Sequence, residues 1–88
     1  MKVLVITATE KLYEDFLKEF GVSKDIYVYW SRLEQIKGMR GSGYYLYEAY
    51  HLNPFYAEFG KSLLEANGLF KVTVSKELQQ EVQQNDRD

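Results

Sequence analysis

The chain has 88 residues, of which 45% are hydrophobic and 27% charged, with a formal net charge of −2 at pH 7. That length predicts one domain with a thin core, and the composition argues against a disordered polymer. The mild acidity lacks the electrostatic footprint of a general nucleic-acid binder, and the absence of cysteine excludes disulfides, thiolate metal sites and thiol nucleophiles.

Residues 2–7 form an unbroken apolar, β-branched run. A strand with one wet face would alternate, so this one is expected to be covered on both faces. The run is too short for a secretory signal, and no stretch nears the ~20 apolar residues of a membrane span, so the expected address is cytoplasmic. Thr7, Ala8, Thr9 and Glu10 fit a capping box, with Thr7 as the cap and Glu10 reaching back. The helix after it sets Leu12, Tyr13, Phe16, Leu17 and Phe20 on one stripe and ends at Gly21, with Val22 placed to pack back on it.

Residues 26–30 read as a second strand, apolar at every position. Ser31 then caps a short helix over 32–37, and the three glycines of 38–43 mark a loop. A third strand begins at Tyr44 and runs through Tyr47, with Tyr50 as its furthest extent. Asn53 and Pro54 are a strong helix start, leading into the stripe Phe55, Tyr56, Phe59, Leu63 and Leu64 and a stop at Asn67 and Gly68. Residues 69–75 alternate Phe70, Val72 and Val74 with Lys71, Thr73 and Ser75, the pattern of an edge strand. The tail 76–88 is polar, a loose helix or disordered segment beyond a single domain spanning 1–75.

The order β-α-β-(short α)-β-α-β fits two architectures. One is a small, mostly parallel four-stranded sheet with helices on both faces; the alternative is a ferredoxin-like α+β sandwich. The first two strands lack the alternation an open face imposes, and about ten residues between the second and third strands suit a crossover. The parallel α/β sheet is the expected fold.

Residues able to carry chemistry are few. Gly60, Lys61 and Ser62 resemble the end of a P-loop, but Phe55 stands where the motif needs glycine, and the triplet falls inside a helix. Glu48 and His51 could form a pair, yet no third ligand is evident, so no metal and no cofactor is expected. Arg32, Lys37 and Arg40 surround the glycine-rich loop near Tyr29, Trp30 and Tyr44. Cations interleaved with aromatics are what a single-stranded nucleic-acid platform uses. The eight tyrosines exceed what a thin core can enclose, which points Tyr27, Tyr29, Tyr44 and Tyr47 toward a partner surface or homodimer.

The stretch Gly38-Met39-Arg40-Gly41, and after it the run from Tyr44 to Ala49, resembles the Walker B half of RecA-like P-loop ATPases of the helicase and phage terminase type. In that family an Arg-Gly turn leads into an apolar strand ending in acidic residues. The resemblance, which extends over residues 38–63, implies that Glu48 stands at the Walker B acid position. The chain departs from the family at Tyr47, which replaces the metal-binding Asp, and it has no Walker A half. A relic or mimic of such a core, without motor activity, is what the resemblance implies. The expected function is a small non-catalytic protein-interaction module, an accessory protein of the phage or mobile-element kind. The alternative is a nucleic-acid or nucleotide binder using residues 32–43, and an enzyme built around Glu48 and His51 ranks last.

Overall fold

The computed structural model describes residues 2–74, and the tail expected over 76–88 lies outside the described residues. The elements in order are β1 (Val3–Ile6), α1 (Glu10–Phe20), β2 (Tyr27–Tyr29), a 3-10 crossover helix (Leu33–Ile36), β3 (Gly43–Leu46), a second 3-10 helix (Tyr50–Leu52), α2 (Pro54–Ala66) and β4 (Phe70–Lys71). The strands form one sheet in the order β2-β1-β3-β4, and every pairing is parallel. The expected α/β sheet is the fold adopted, with β1 interior and β4 at an edge. The antiparallel sandwich is not.

Alternation along the strands divides the core into two layers. Leu4, Ile6, Val28, Tyr44 and Leu46 face Trp30, Ile36, Met39, Leu64 and Leu69, beneath the crossover helix and α2. Val5, Tyr27, Tyr29, Tyr45 and Tyr47 face Tyr13, Phe16 and Phe20 of α1. All four β1 residues are buried, the physical reason its sequence shows no polar alternation.

Most helix ends agree with the sequence. Gly21 ends α1 in the left-handed conformation (φ 64°), and Val22 donates its N–H to the carbonyl of Leu17. Asn53 caps α2, its Oδ1 accepting from the N–H groups of Phe55 and Tyr56. The cap of α1 differs from the expectation. It is Thr9, whose Oγ1 accepts the N–H of Leu12 at 3.2 Å, so Thr7 and Glu10 do not form a capping box. Thr7 directly follows β1 and is fully buried.

Other differences are local. Ile26 precedes β2 and is 47% exposed, and β3 begins one residue earlier than expected and stops at Leu46. A Cβ at Gly43 would stand 2.5 Å from Cγ1 of Val72, so glycine lets the edge segment approach β3. The helix expected through Gly60 is broken there (φ 67°, ψ −168°), a region essentially restricted to glycine. Gly60, Lys61 and Ser62 therefore lie at a break between two short helical segments instead of within one helix.

Five tyrosines of the two layers hold their protons more tightly than a free phenol. Burial raises the pKa of Tyr13, Tyr29, Tyr44, Tyr45 and Tyr47, and for Tyr47 the hydrogen bond to the Glu19 carboxylate adds to it. Unfolded tyrosines ionise at about pH 10. The folded state keeps these five protonated beyond that, so the stability they confer is complete below about pH 10 and falls as pH rises through the raised folded values. In an alkaline titration, phenolate absorbance from these rings should rise together with loss of the native circular dichroism. Ionisation of all tyrosines near pH 10 with native dichroism intact would contradict this assignment.

Candidate functional site

In a parallel sheet the chain leaves successive strand ends to one side or the other, and a crevice opens where the direction reverses. Here β1 leads to β2 on one side, whereas β3, its neighbour on the other side, leads outward to β4. The crevice between the carboxyl ends of β1 and β3 is the place a small ligand would enter. It is stitched shut. The Thr7 hydroxyl donates to the Glu48 carbonyl at 2.6 Å. The amide nitrogen of Asn53 donates to the carbonyls of Thr7 (3.1 Å) and Trp30 (3.3 Å). Ala49 takes a left-handed conformation (φ 53°) to bring Glu48 and Asn53 to these partners, a strain on the order of 1 kcal/mol for a non-glycine residue.

Glu48 and His51 are both exposed on this rim, and no hydrogen bond joins them among the described residues. The His51 ring instead packs edge-on against Tyr50 at 5.7 Å. Among the described residues no group of three or more His, Cys, Asp or Glu could hold a metal ion. No helix among them is long and apolar enough to cross a membrane.

The four tyrosines expected on a partner surface do not share one. Tyr44 points beneath α2 and is 2% exposed, while Tyr47 points beneath α1 and is 7% exposed. The Tyr47 hydroxyl donates to Oε1 of Glu19 at 2.7 Å. Tyr27 and Tyr29 are half-buried on the α1 face, where the Tyr29 ring stacks on Tyr13 at 5.4 Å and the carbonyl of Tyr27 accepts from the Tyr13 hydroxyl. The Phe16 ring sits among Tyr27, Tyr45 and Tyr47 with centroids 5.2–5.7 Å away. These rings build the layer under α1.

The basic residues are arranged along the crossover. Arg32 stands at the end that leaves β2. Lys37 comes directly after the crossover helix, and Arg40 lies in the loop at the opposite end, its side chain against Gly68. All three are exposed. Trp30 is fully buried and packed 5.4 Å from Phe55, so neither it nor Tyr44 is free to stack on a base. Its indole N–H has no hydrogen-bond partner among the described residues. Gln35, which carried no signal in the sequence, fixes the start of the crossover. Its Oε1 accepts from the N–H groups of Ser31 and Arg32, both at 2.8 Å, and its Nε2 donates to the carbonyl of Tyr29.

An apolar concavity of about 140 Å³ lies between the crossover helix and α2. Leu33, Ile36 and Lys37 form one wall and Phe59, Leu63 and Asn67 the other. Leu33 is 38% exposed and Phe59 39%, large side chains left uncovered beside a buried Ile36. The sequence marks Phe59 and Leu63 as helix stripe and so as core. The signal that could have found them is Gly60 between them, since a glycine in mid-helix flags a break that redirects the next turn.

The three residues between Ile6 and Glu10 include no glycine and one buried hydroxyl committed to Glu48, so the turn after β1 is not the glycine-rich phosphate cradle of a P-loop. The chain alone should show no ATP hydrolysis above background in a phosphate-release assay. Turnover that disappears in Glu48→Gln would contradict this. No protein-family model, no curated protein and no solved structure matches this chain.

Proposed function

We propose that this domain is a small non-catalytic protein-interaction module. The observation that carries the reading is the groove between the crossover helix and α2, where Leu33 and Phe59 stay exposed around an apolar floor with Lys37 at its edge. Apolar side chains left exposed around a concavity offer a partner a surface it can cover without disturbing the fold. The stitched crevice at the strand ends supports the same reading, because Thr7 and Asn53 spend their polar atoms on internal carbonyls.

The nucleic-acid reading draws on Arg32, Lys37 and Arg40, but two of its three aromatics, Trp30 and Tyr44, are buried, and the third, the half-buried Tyr29, stacks on Tyr13. The resemblance to the Walker B half of an ATPase adds no catalytic role in this reading. Glu48 contributes its backbone carbonyl to the stitch, and its side chain is exposed on the rim.

Site-specific photo-crosslinking tests the proposal. With a benzoylphenylalanine in place of Phe59, illumination in the native host should give a protein adduct, whether to a second copy or to another chain. That adduct should be lost when Leu33→Glu is added and retained when the same change is made at Leu52, which is 62% exposed but outside the groove. No adduct at position 59, or one indifferent to Leu33→Glu, would contradict the reading.

A further inference from the structure

We propose that Asn67 is a modification site of this chain: its side-chain amide is held unreactive while the last turn of α2 is closed, and converts to aspartate or isoaspartate when that turn opens.

Of the asparagines at 53, 67 and 85, only Asn67 is followed by glycine. Glycine offers its backbone nitrogen to the preceding side chain with no Cβ in the way. In the reaction that nitrogen attacks Cγ of Asn67, and a Cγ–N bond forms. The Cγ–Nδ2 bond breaks, and Nδ2 leaves as ammonia with the proton that the Gly68 nitrogen gives up. Water then opens the cyclic imide, at Cγ to give aspartate or at the Asn67 backbone carbonyl carbon to give isoaspartate. Asn53 cannot follow this route, because the Pro54 nitrogen has no proton to give up.

The fold itself demands the reactive pair. Gly68 stands at φ 84°, and a Cβ there would fall 2.7 Å from Cγ of Arg40, so any side chain is both strained and crowded. Asn67 closes the helix end. Its backbone N–H donates to the carbonyls of Leu63 and Leu64, and its Nδ2 donates to the Leu63 carbonyl at 2.9 Å. The closed turn also holds the reacting groups apart. The Gly68 N–H is committed to the Glu65 carbonyl at 3.0 Å, and the Gly68 carbonyl accepts from Gly41 at 2.8 Å. Forming the five-membered imide requires the Gly68 nitrogen on the same side of the Asn67 Cα–C bond as Cβ. At the native ψ of 10° it lies beside the Asn67 backbone nitrogen instead, and the side-chain amide is tied back toward Leu63.

The turn that must open is short. Gly60 breaks α2, so the segment leading to Asn67 covers only residues 61–66, of which Lys61, Ser62, Glu65 and Ala66 are exposed. Exposed helix ends open locally at far less cost than global unfolding. Conversion then works against reclosing, because a carboxylate cannot donate to the Leu63 carbonyl and is repelled by the carbonyls at the helix end. Asn67 also lines the groove across from Lys37, so either product adds a negative charge to that wall. The chemistry needs no partner in the groove.

Peptide mapping by mass spectrometry of the full chain, held in mildly alkaline buffer with and without denaturant, tests the proposal. The expected result is conversion of Asn67 in denaturant and at least tenfold slower conversion in the folded chain. Ala66→Gly weakens the last turn and should speed conversion several-fold in the folded chain, with the rate in denaturant unchanged. Circular dichroism shows whether that variant is folded. Should it unfold, hydrogen exchange at the Gly68 amide carries the same test, with at least tenfold protection expected. No conversion of Asn67 in denaturant, equal rates with and without it, or a folded-state rate indifferent to Ala66→Gly would overturn the proposal, as would unprotected exchange at Gly68.

Discussion

Everything in this fold depends on how the carboxyl end of β1 is closed. A central parallel strand ends with backbone carbonyls that no neighbouring strand continues to satisfy, and burying them unpaired would cost about 1–3 kcal/mol each. Thr7 and Asn53 resolve this with side chains. The Thr7 hydroxyl reaches the carbonyl of Glu48, and the Asn53 amide spans the carbonyls of Thr7 and Trp30. One asparagine therefore ties the ends of β1 and β2 to the start of α2, whose first N–H groups it also caps. The strain at Ala49 is the local cost of delivering Glu48 and Asn53 to these positions.

This closure has a functional consequence. Larger parallel α/β domains use the reversal point of the sheet for ligands, because backbone and side-chain donors there stay open to solvent. In this chain the donors are consumed. The short path from β2 to β3 displaces the exposed surface elsewhere. A crossover of one 3-10 helix covers its face less fully than an α-helix would, and the break at Gly60 divides the helix beside it. Leu33 and Phe59 are left uncovered at that seam, while α1 packs on the aromatic layer of the other face.

Much of the architecture was legible because it rests on local physics. The unbroken apolar run of β1 required cover on both faces, and the Asn53-Pro54 start and Gly21 stop are short-range signals that tertiary packing did not override. The misread details share a cause, which is that they depend on partners distant in sequence. Thr7 and Thr9 are equally good caps in isolation. The choice between them depends on the Glu48 carbonyl, 41 residues away, which takes the Thr7 hydroxyl. Tyr44 and Tyr47 part because side chains three apart on an extended segment point to opposite faces. Which face was better covered could not be read from either tyrosine. The groove was hidden for a related reason: a helix stripe looks the same whether it meets a core or a partner, and only the tertiary position of Leu33 and Phe59 separates the two.

The closure of the strand ends is tested most directly by a double-mutant cycle between Thr7→Val and Asn53→Ala, monitored by circular dichroism in denaturant. Thr7→Val should cost about 1 kcal/mol and Asn53→Ala about 2–3 kcal/mol, the latter losing both its carbonyl contacts and the helix cap. Because both substitutions act on the same loop, the double variant should lose less than the sum, by about 1 kcal/mol. Strict additivity, or an Asn53→Ala variant as stable as the parent, would contradict the account.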